Sequence, residues 1–152
     1  GLMRISVKTF DDLALNELYD LMALRSEVFV VEQDCVYQDL DYKDQKALHV
    51  LGYTQEKLAA YTRIFGPGDY FKHASIGRVI VAPLHRSQQL GHQIMRASIS
   101  ALLQQYEVRQ IDISAQSYLE RFYESHGFHA TGEEYLEDGI PHKKMIKIIN
   151  TP

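Results

Sequence analysis

The chain has 152 residues, 45% of them hydrophobic, which suits one compact domain with a single core. Its 16 Lys and Arg against 20 Asp and Glu give a formal charge of −4, which argues against the broad basic surface that a nucleic-acid backbone requires. The only cysteine, Cys35, allows no internal disulfide and no C-x-x-C metal spacing, and no run approaches the roughly 18 apolar residues of a membrane span. A soluble, cytoplasmic protein without a metal is the expectation.

Residues 4 to 8, RISVK, alternate polar and apolar and predict a half-buried strand. In the stretch that follows, Leu18, Leu21, Met22, Arg25, Val28 and Phe29 recur at helical spacing, with Asp11 or Asp12 available as cap. From Glu32 to Lys46 the periodicity fades into an acidic segment, expected to be an ordered loop or short broken helix. LHVLGY and LAAYTRIF flank the turn-like TQEK as a hairpin. SIGRVIVA is a further strand ended by Pro83, and Leu90 to Tyr106 is an amphipathic helix. QIDISA predicts another strand, and YLERFYESHG a short helix stopped by Gly127. EEYLE, the turn DGIP and HKKMIKII close the chain as a second hairpin. The order is β-α-loop-β-β-β-α-β-α-β-β, a mixed α/β arrangement.

A strand, a tight polar loop and a helix start follow one another in GRVIVAPLHRSQQLGHQIM. The free N–H groups and the positive dipole end of such a helix favour an anion, and a pyrophosphate would suit them. Neither G-x-G-x-x-G nor G-K-[ST] is present, so dinucleotide-fold and P-loop readings are poor.

VIVAPLHRSQQLGHQIM followed by AQSYLERFYESHGF resembles the two cofactor motifs of the GNAT superfamily of acyl-CoA-dependent acetyltransferases. LRSEVFVVEQDCVYQDLD, GRVIV, FYESHGF and EDGIPH are similar to its ElaA-like branch, and together they span almost the whole chain. The resemblance implies a single GNAT domain over residues 1–152, with a mixed, mostly antiparallel central sheet flanked by about four helices. It also implies acetyl-CoA as cofactor and leaves a homodimer open.

Carried over position by position, the resemblance gives Val79, Ile80 and Val81 to the pantetheine arm, with the Val81 N–H polarising the thioester carbonyl. The phosphate loop falls on Arg86, Ser87, Gln88, Gln89, Leu90, Gly91 and His92. Gln89 stands where the family has its first glycine. Backbone amides do the holding, so Gln89 is compatible if it keeps a helical φ and turns its side chain away. Gln116 replaces the family's asparagine, and Tyr123 takes the place of the tyrosine that protonates the departing thiolate.

An amine acceptor must lose a proton before it attacks, so a general base is needed. Glu32, His49 and His142 are the candidates, and Glu32 and His142 could face one cleft. Glu32, Asp39, Asp41, Asp44, Glu137 and Asp138 would make its walls acidic and attract a cationic amine. Arg25, on the apolar face of the first helix, and Arg63, inside a strand, are expected to pair with carboxylates of the acidic loop. Cys35 lacks the partners of an activated thiol, and the resemblance implies direct transfer in a ternary complex. Two other readings stand beside an acetyltransferase acting on a small-molecule or peptide amine. LRSEVFVVEQ also resembles the N-terminal part of acyl-homoserine-lactone synthases, although the chain looks short for them. The irregular Gln89 and Gln116 would suit a non-catalytic CoA-binding module.

Overall fold

The computed structural model describes residues 2–150. Seven strands form one sheet in the order β1-β2-β3-β4-β5-β7-β6. They are β1 Arg4–Thr9, β2 Leu48–Thr54, β3 Lys57–Phe65, β4 Ala74–Val81, β5 Gln110–Gln116, β6 His129–Glu137 and β7 Ile140–Ile148. The helices are α1 Leu15–Arg25, α2 Leu90–Gln105 and α3 Glu120–Glu124. The fourth flanking helix is a π-helical segment, Ser26–Glu32, that continues α1. Its wider turn is the irregularity that ends the 3.6-residue periodicity.

Both hairpins follow from their turn residues. Gln55 and Glu56 both take positive φ (48° and 66°), as do Asp138 and Gly139 (52° and 77°), the backbone a two-residue antiparallel connection needs. The start of α1 differs from the expected cap. Glu17 reaches back and accepts the Ala14 N–H at 2.8 Å, while Asp11 and Asp12 lie in the turn before it, where the Asp12 N–H bonds the Thr9 carbonyl.

Each face of the sheet buries one apolar cluster. Ile64, Ala74, Ile76, Ile111, Ile113 and Met145 pack under α2 with Ile94, Met95 and Leu102. On the opposite face, Leu51, Tyr61 and Ile80 pack against Leu21, Leu24 and Val28. Alternation along the strands therefore sends Arg63, Phe65 and Ser75 to the α1 face.

That face is roofed by the acidic loop, held down by ions. Arg25 pairs with Asp39 (2.9 Å) and Asp44 (2.6 Å), and Arg63 with Asp41 (2.6 Å) and Asp44 (3.1 Å), as expected. Arg78, not anticipated, adds a 2.7 Å pair with Asp39. Three guanidinium groups thus match three carboxylates. Removing one member of so buried a network costs about 3–5 kcal/mol.

Candidate active site

Among the described residues the parallel neighbours in the sheet are β4 and β5, which pair over just two positions, Ala74 with Ile111 and Ser75 with Asp112. Beyond them the strands part, and the rest of β4 leaves its β5-facing edge unpaired. A bulge sharpens the bend: the β3–β4 register shifts between Tyr61 and Arg63, and Arg78 takes φ 48°. The Ala82 N–H bonds the Ala59 carbonyl on the β3 side. By alternation, the backbone N–H and C=O groups of Val79 and Val81 point the other way, into the opening.

A cleft of about 880 Å³ occupies this split, bordered by Val79, Ile80, Val81, Gln116, Tyr123 and His142, with Glu32, Arg86 and Gly91 at its mouth. The Val81 carbonyl accepts from Arg86 Nε–H, and the remaining groups of this strand edge, the Val79 N–H and C=O and the Val81 N–H, present the shape a pantetheine arm, with its two amides, would complete.

At the mouth, α2 begins with the unpartnered N–H groups of Leu90, Gly91 and His92. Gln89 is its N-cap with φ 64° and ψ 16°, and Ser87 has φ 71°. The helical φ expected of Gln89 is thus corrected. The loop needs the left-handed conformation here, and glutamine adopts it at an energetic cost. Its side chain is exposed and makes no cap bond, so nothing obstructs the amides. Gly91 packs closely: a Cβ there would sit 3.3 Å from the Phe122 ring, which would have to give by a few tenths of an ångström, and in ordinary contact with Val81 at 3.6 Å. The cradle fits a pyrophosphate.

Tyr123 is 4% exposed, edge-on to Phe122 and Phe128. Its hydroxyl has no hydrogen-bond partner among the described residues, and burial raises its pKa well above the usual phenol range. It carries its proton at neutral pH and borders the cleft.

His142 faces Gln116 across the β5–β7 pair. Its Nδ1–H donates to the Ile140 carbonyl at 2.7 Å, which leaves Nε2 as the acceptor nitrogen of the neutral ring. Nε2 lies 3.4 Å from a Glu137 carboxylate oxygen. Glu137 also accepts the Ser114 hydroxyl at 3.2 Å. This His–Glu pairing was not read from the sequence; the turn EDGIP brings Glu137 and His142 back to back across a hairpin, which was its only trace.

Glu32 and His49 are engaged elsewhere. Arg86 holds both oxygens of Glu32, at 2.6 and 2.7 Å, and lowers its pKa. His49 is fully buried away from the cleft. Its Nε2–H donates to the Asp44 carbonyl at 2.9 Å and Nδ1 accepts the Tyr61 hydroxyl at 2.6 Å. The expected acidity of the walls is also reduced. Asp39, Asp41 and Asp44 are neutralised by arginines, leaving Glu137 and Asp138 as the cleft's uncompensated carboxylates. Cys35 lines the cleft and donates its thiol to the Asp138 carbonyl at 3.3 Å, with no histidine beside it.

A sheet split between its parallel strands, a helix-start cradle at one end of the split and a phenol with an imidazole inside it define an acyl-CoA-dependent acyltransferase. The family model described as "Acetyltransferase (GNAT) domain" matches residues 11–149. The ElaA protein of Escherichia coli is 39% identical over 138 residues, covering 90% of each chain. The chain belongs to the GNAT acetyltransferase family, in its ElaA-like branch. The crystal structure of a Pseudomonas aeruginosa acyl-CoA N-acyltransferase superposes with a TM-score of 0.91 at 38% identity, covering 96% of this chain and 99% of that one. The acyl-homoserine lactone synthase BjaI, at 16% identity and TM-score 0.76, covering 97% of this chain and 84% of that one, shares the fold alone. No helix among the described residues is long and apolar enough to cross a membrane.

Proposed function

We propose that the protein moves an acetyl group from acetyl-CoA to a primary amine, on a small molecule or a peptide, by direct transfer in a ternary complex. The observation that carries this is that Tyr123, His142 and the unpaired end of β4 border one cleft with Gly91 of the helix-start cradle. Bound acetyl-CoA supplies a thioester, whose carbon–sulfur bond breaks as the amine nitrogen bonds to the carbonyl carbon. The overall change turns an ammonium and a thioester into an amide, a thiol and one released proton.

In this reading His142 Nε2 takes the proton of the entering ammonium, and Glu137 steadies the imidazolium from 3.4 Å. The Val81 N–H, turned into the split, stabilises the developing oxyanion. The Tyr123 hydroxyl gives the sulfur its proton, and Gln116 contacts the pantetheine. The backbone from Arg86 to His92 binds pyrophosphate, while Glu32 positions Arg86 and does not act as base.

An acetyl-CoA-dependent thiol-release assay across amines, polyamines, amino acids and lysine peptides tests the reading. His142→Gln should lower kcat roughly 100-fold, with acetyl-CoA still raising the thermal midpoint. Binding of acetyl-CoA without release to any acceptor would mean a CoA-binding module instead.

A further inference from the structure

The end of the cleft under the β3–β4 connection carries side chains for which acetyl transfer alone has no use. The Phe65 and Tyr70 rings stack at 4.7 Å and 18°, and Phe71 adds a ring 4.5 Å from Tyr70. The Arg63 guanidinium lies over Phe65 and Tyr70, at 5.2 and 5.5 Å from their centroids. Phe65 is fully buried, whereas Tyr70 and Phe71 remain 40% and 43% exposed, and all three border the cleft. Large rings fixed by a cation yet left open to a cleft form an apolar surface that a flat ligand would cover.

Two buried polar atoms in the same place lack partners, Ser75 Oγ and Arg63 Nε. Ser75 is paired in register with Phe65, and Arg63 lies two residues earlier on β3, so the two flank the aromatic floor. Both can donate, and an unmatched buried donor costs stability that a ligand oxygen would restore. The charge of that oxygen is also constrained. Arg63 is already matched by Asp41 and Asp44, so no free cation calls for a carboxylate, and a neutral oxygen fits.

The opposite end of the cleft is anionic, with Glu137 and Asp138 beside His142. Ser75 aligns with Asp112, and His142 with Gln116. Strand rises of about 3.3 Å and spacings of about 4.8 Å then put the Ser75 and His142 Cα atoms about 16 Å apart on one face. A phenylethylamine bearing a ring oxygen spans about 8 Å from nitrogen to oxygen, and a hydrogen bond at each end brings this to about 14 Å.

We propose that the Phe65–Tyr70–Phe71 end of the cleft is the acceptor's ring subsite, and that the acceptor is a phenolic arylalkylamine. The ring covers Tyr70 and Phe71, its hydroxyl meets Ser75 and Arg63, and its amine is delivered to His142. This rests on the acyl-transfer reading above and gives that reading a substrate class.

The test compares tyramine with phenethylamine, 4-(2-aminoethyl)benzoate, spermidine and a lysine peptide, in thiol release by the intact protein with acetyl-CoA. Tyramine should exceed each of the others at least tenfold in kcat/KM. Phe71→Ala should raise the KM for tyramine at least tenfold with kcat within threefold. Ser75→Ala should collapse the tyramine-to-phenethylamine ratio to within about twofold, and thermal unfolding checks that both variants fold. Preference for the benzoate, the polyamine or the peptide overturns the proposal, as does an unchanged ratio in Ser75→Ala. If no amine releases thiol, calorimetry of tyramine with the protein–CoA complex separates the two ideas. Binding that Phe71→Ala abolishes supports the subsite while the acyl-transfer reading falls; no binding overturns the subsite.

Discussion

Arg86 and Glu32 close the mouth of the cleft with a two-pronged ion pair, at 2.6 and 2.7 Å, while Arg86 Nε–H donates to the Val81 carbonyl at 3.1 Å. One guanidinium thereby ties the end of the π-helical segment to the last residue of β4 and to the loop before α2. Both side chains are well exposed, 45% and 39%, so the pair adds little to stability, at most about 1 kcal/mol. Its effect is on position.

Glu32→Gln accordingly should leave kcat within about threefold and change the KM for acetyl-CoA by less than tenfold. The carboxylate's pKa is lowered by Arg86, which makes it a weak base in any case. Steady-state kinetics with acetyl-CoA varied decides the matter. A loss of kcat beyond 100-fold would return Glu32 to the role of proton acceptor.

Tyr123→Phe removes a hydroxyl that has no partner among the described residues from a side chain that is otherwise fully packed. Nothing in the protein is left unsatisfied by the change, so the thermal midpoint should hold or rise slightly. Turnover should fall at least tenfold if the phenol protonates the sulfur, since a positioned acid contributes about 10²- to 10⁴-fold. Equal turnover on the true acceptor would leave Tyr123 a core residue.

The sequence made the strands and hairpins legible because alternation and turn residues are local signals; TQEK and EDGIP marked their hairpins. Tyr123 and the loop from Arg86 to Gly91 became candidates through resemblance, and His142 as one of three candidate bases that the chemistry of an amine acceptor called for. Other features depend on geometry that no local pattern encodes. Arg78 joins the ion network only because β4 bulges there. Glu137 reaches His142 only through the β6–β7 register, and Glu32 meets a residue 54 positions away. The left-handed Gln89 shows the same limit, because the glutamine side chain signals nothing about φ.

That conformation predicts a measurable gain. Holding a non-glycine residue at φ 64° costs about 1–2 kcal/mol, part of which Gln89→Gly would recover against the greater freedom it gives the unfolded chain. The variant should be more stable by up to about 1 kcal/mol in urea unfolding. Gln89→Val, branched at Cβ, should be less stable than the parent. Acetyl-CoA affinity should stay within about threefold in Gln89→Gly, because backbone amides do the holding. A glycine variant less stable than the parent would contradict the strain.

Acid should unfold the protein in two stages, and the sign of each follows from burial and pairing. His49 has its pKa lowered from 6.5, first by burial. Its folded value is depressed, so its contribution is complete above pH 6.5 and declines as pH falls toward the folded value, where the unfolded chain binds the proton first. Burial is the largest single influence on Asp41 and Asp44 and raises their pKa values, but the hydrogen bonds and charges of their arginines together outweigh it and hold both below 3.8. Their contribution is complete above about pH 4 and is lost as pH falls below it. Urea midpoints should therefore decline gently from pH 6.5 to 4.5 and steeply below pH 4. His49→Gln should shrink the first decline, although His126, also lowered by burial and by neighbouring cations, preserves part of it. Asp44→Asn should cost stability at pH 7 and blunt the second decline, because the carboxylate that accepts from both Arg25 and Arg63 is already gone. A single midpoint curve, flat to pH 4 in the parent, would show that His49 accepts a proton inside the folded core without penalty.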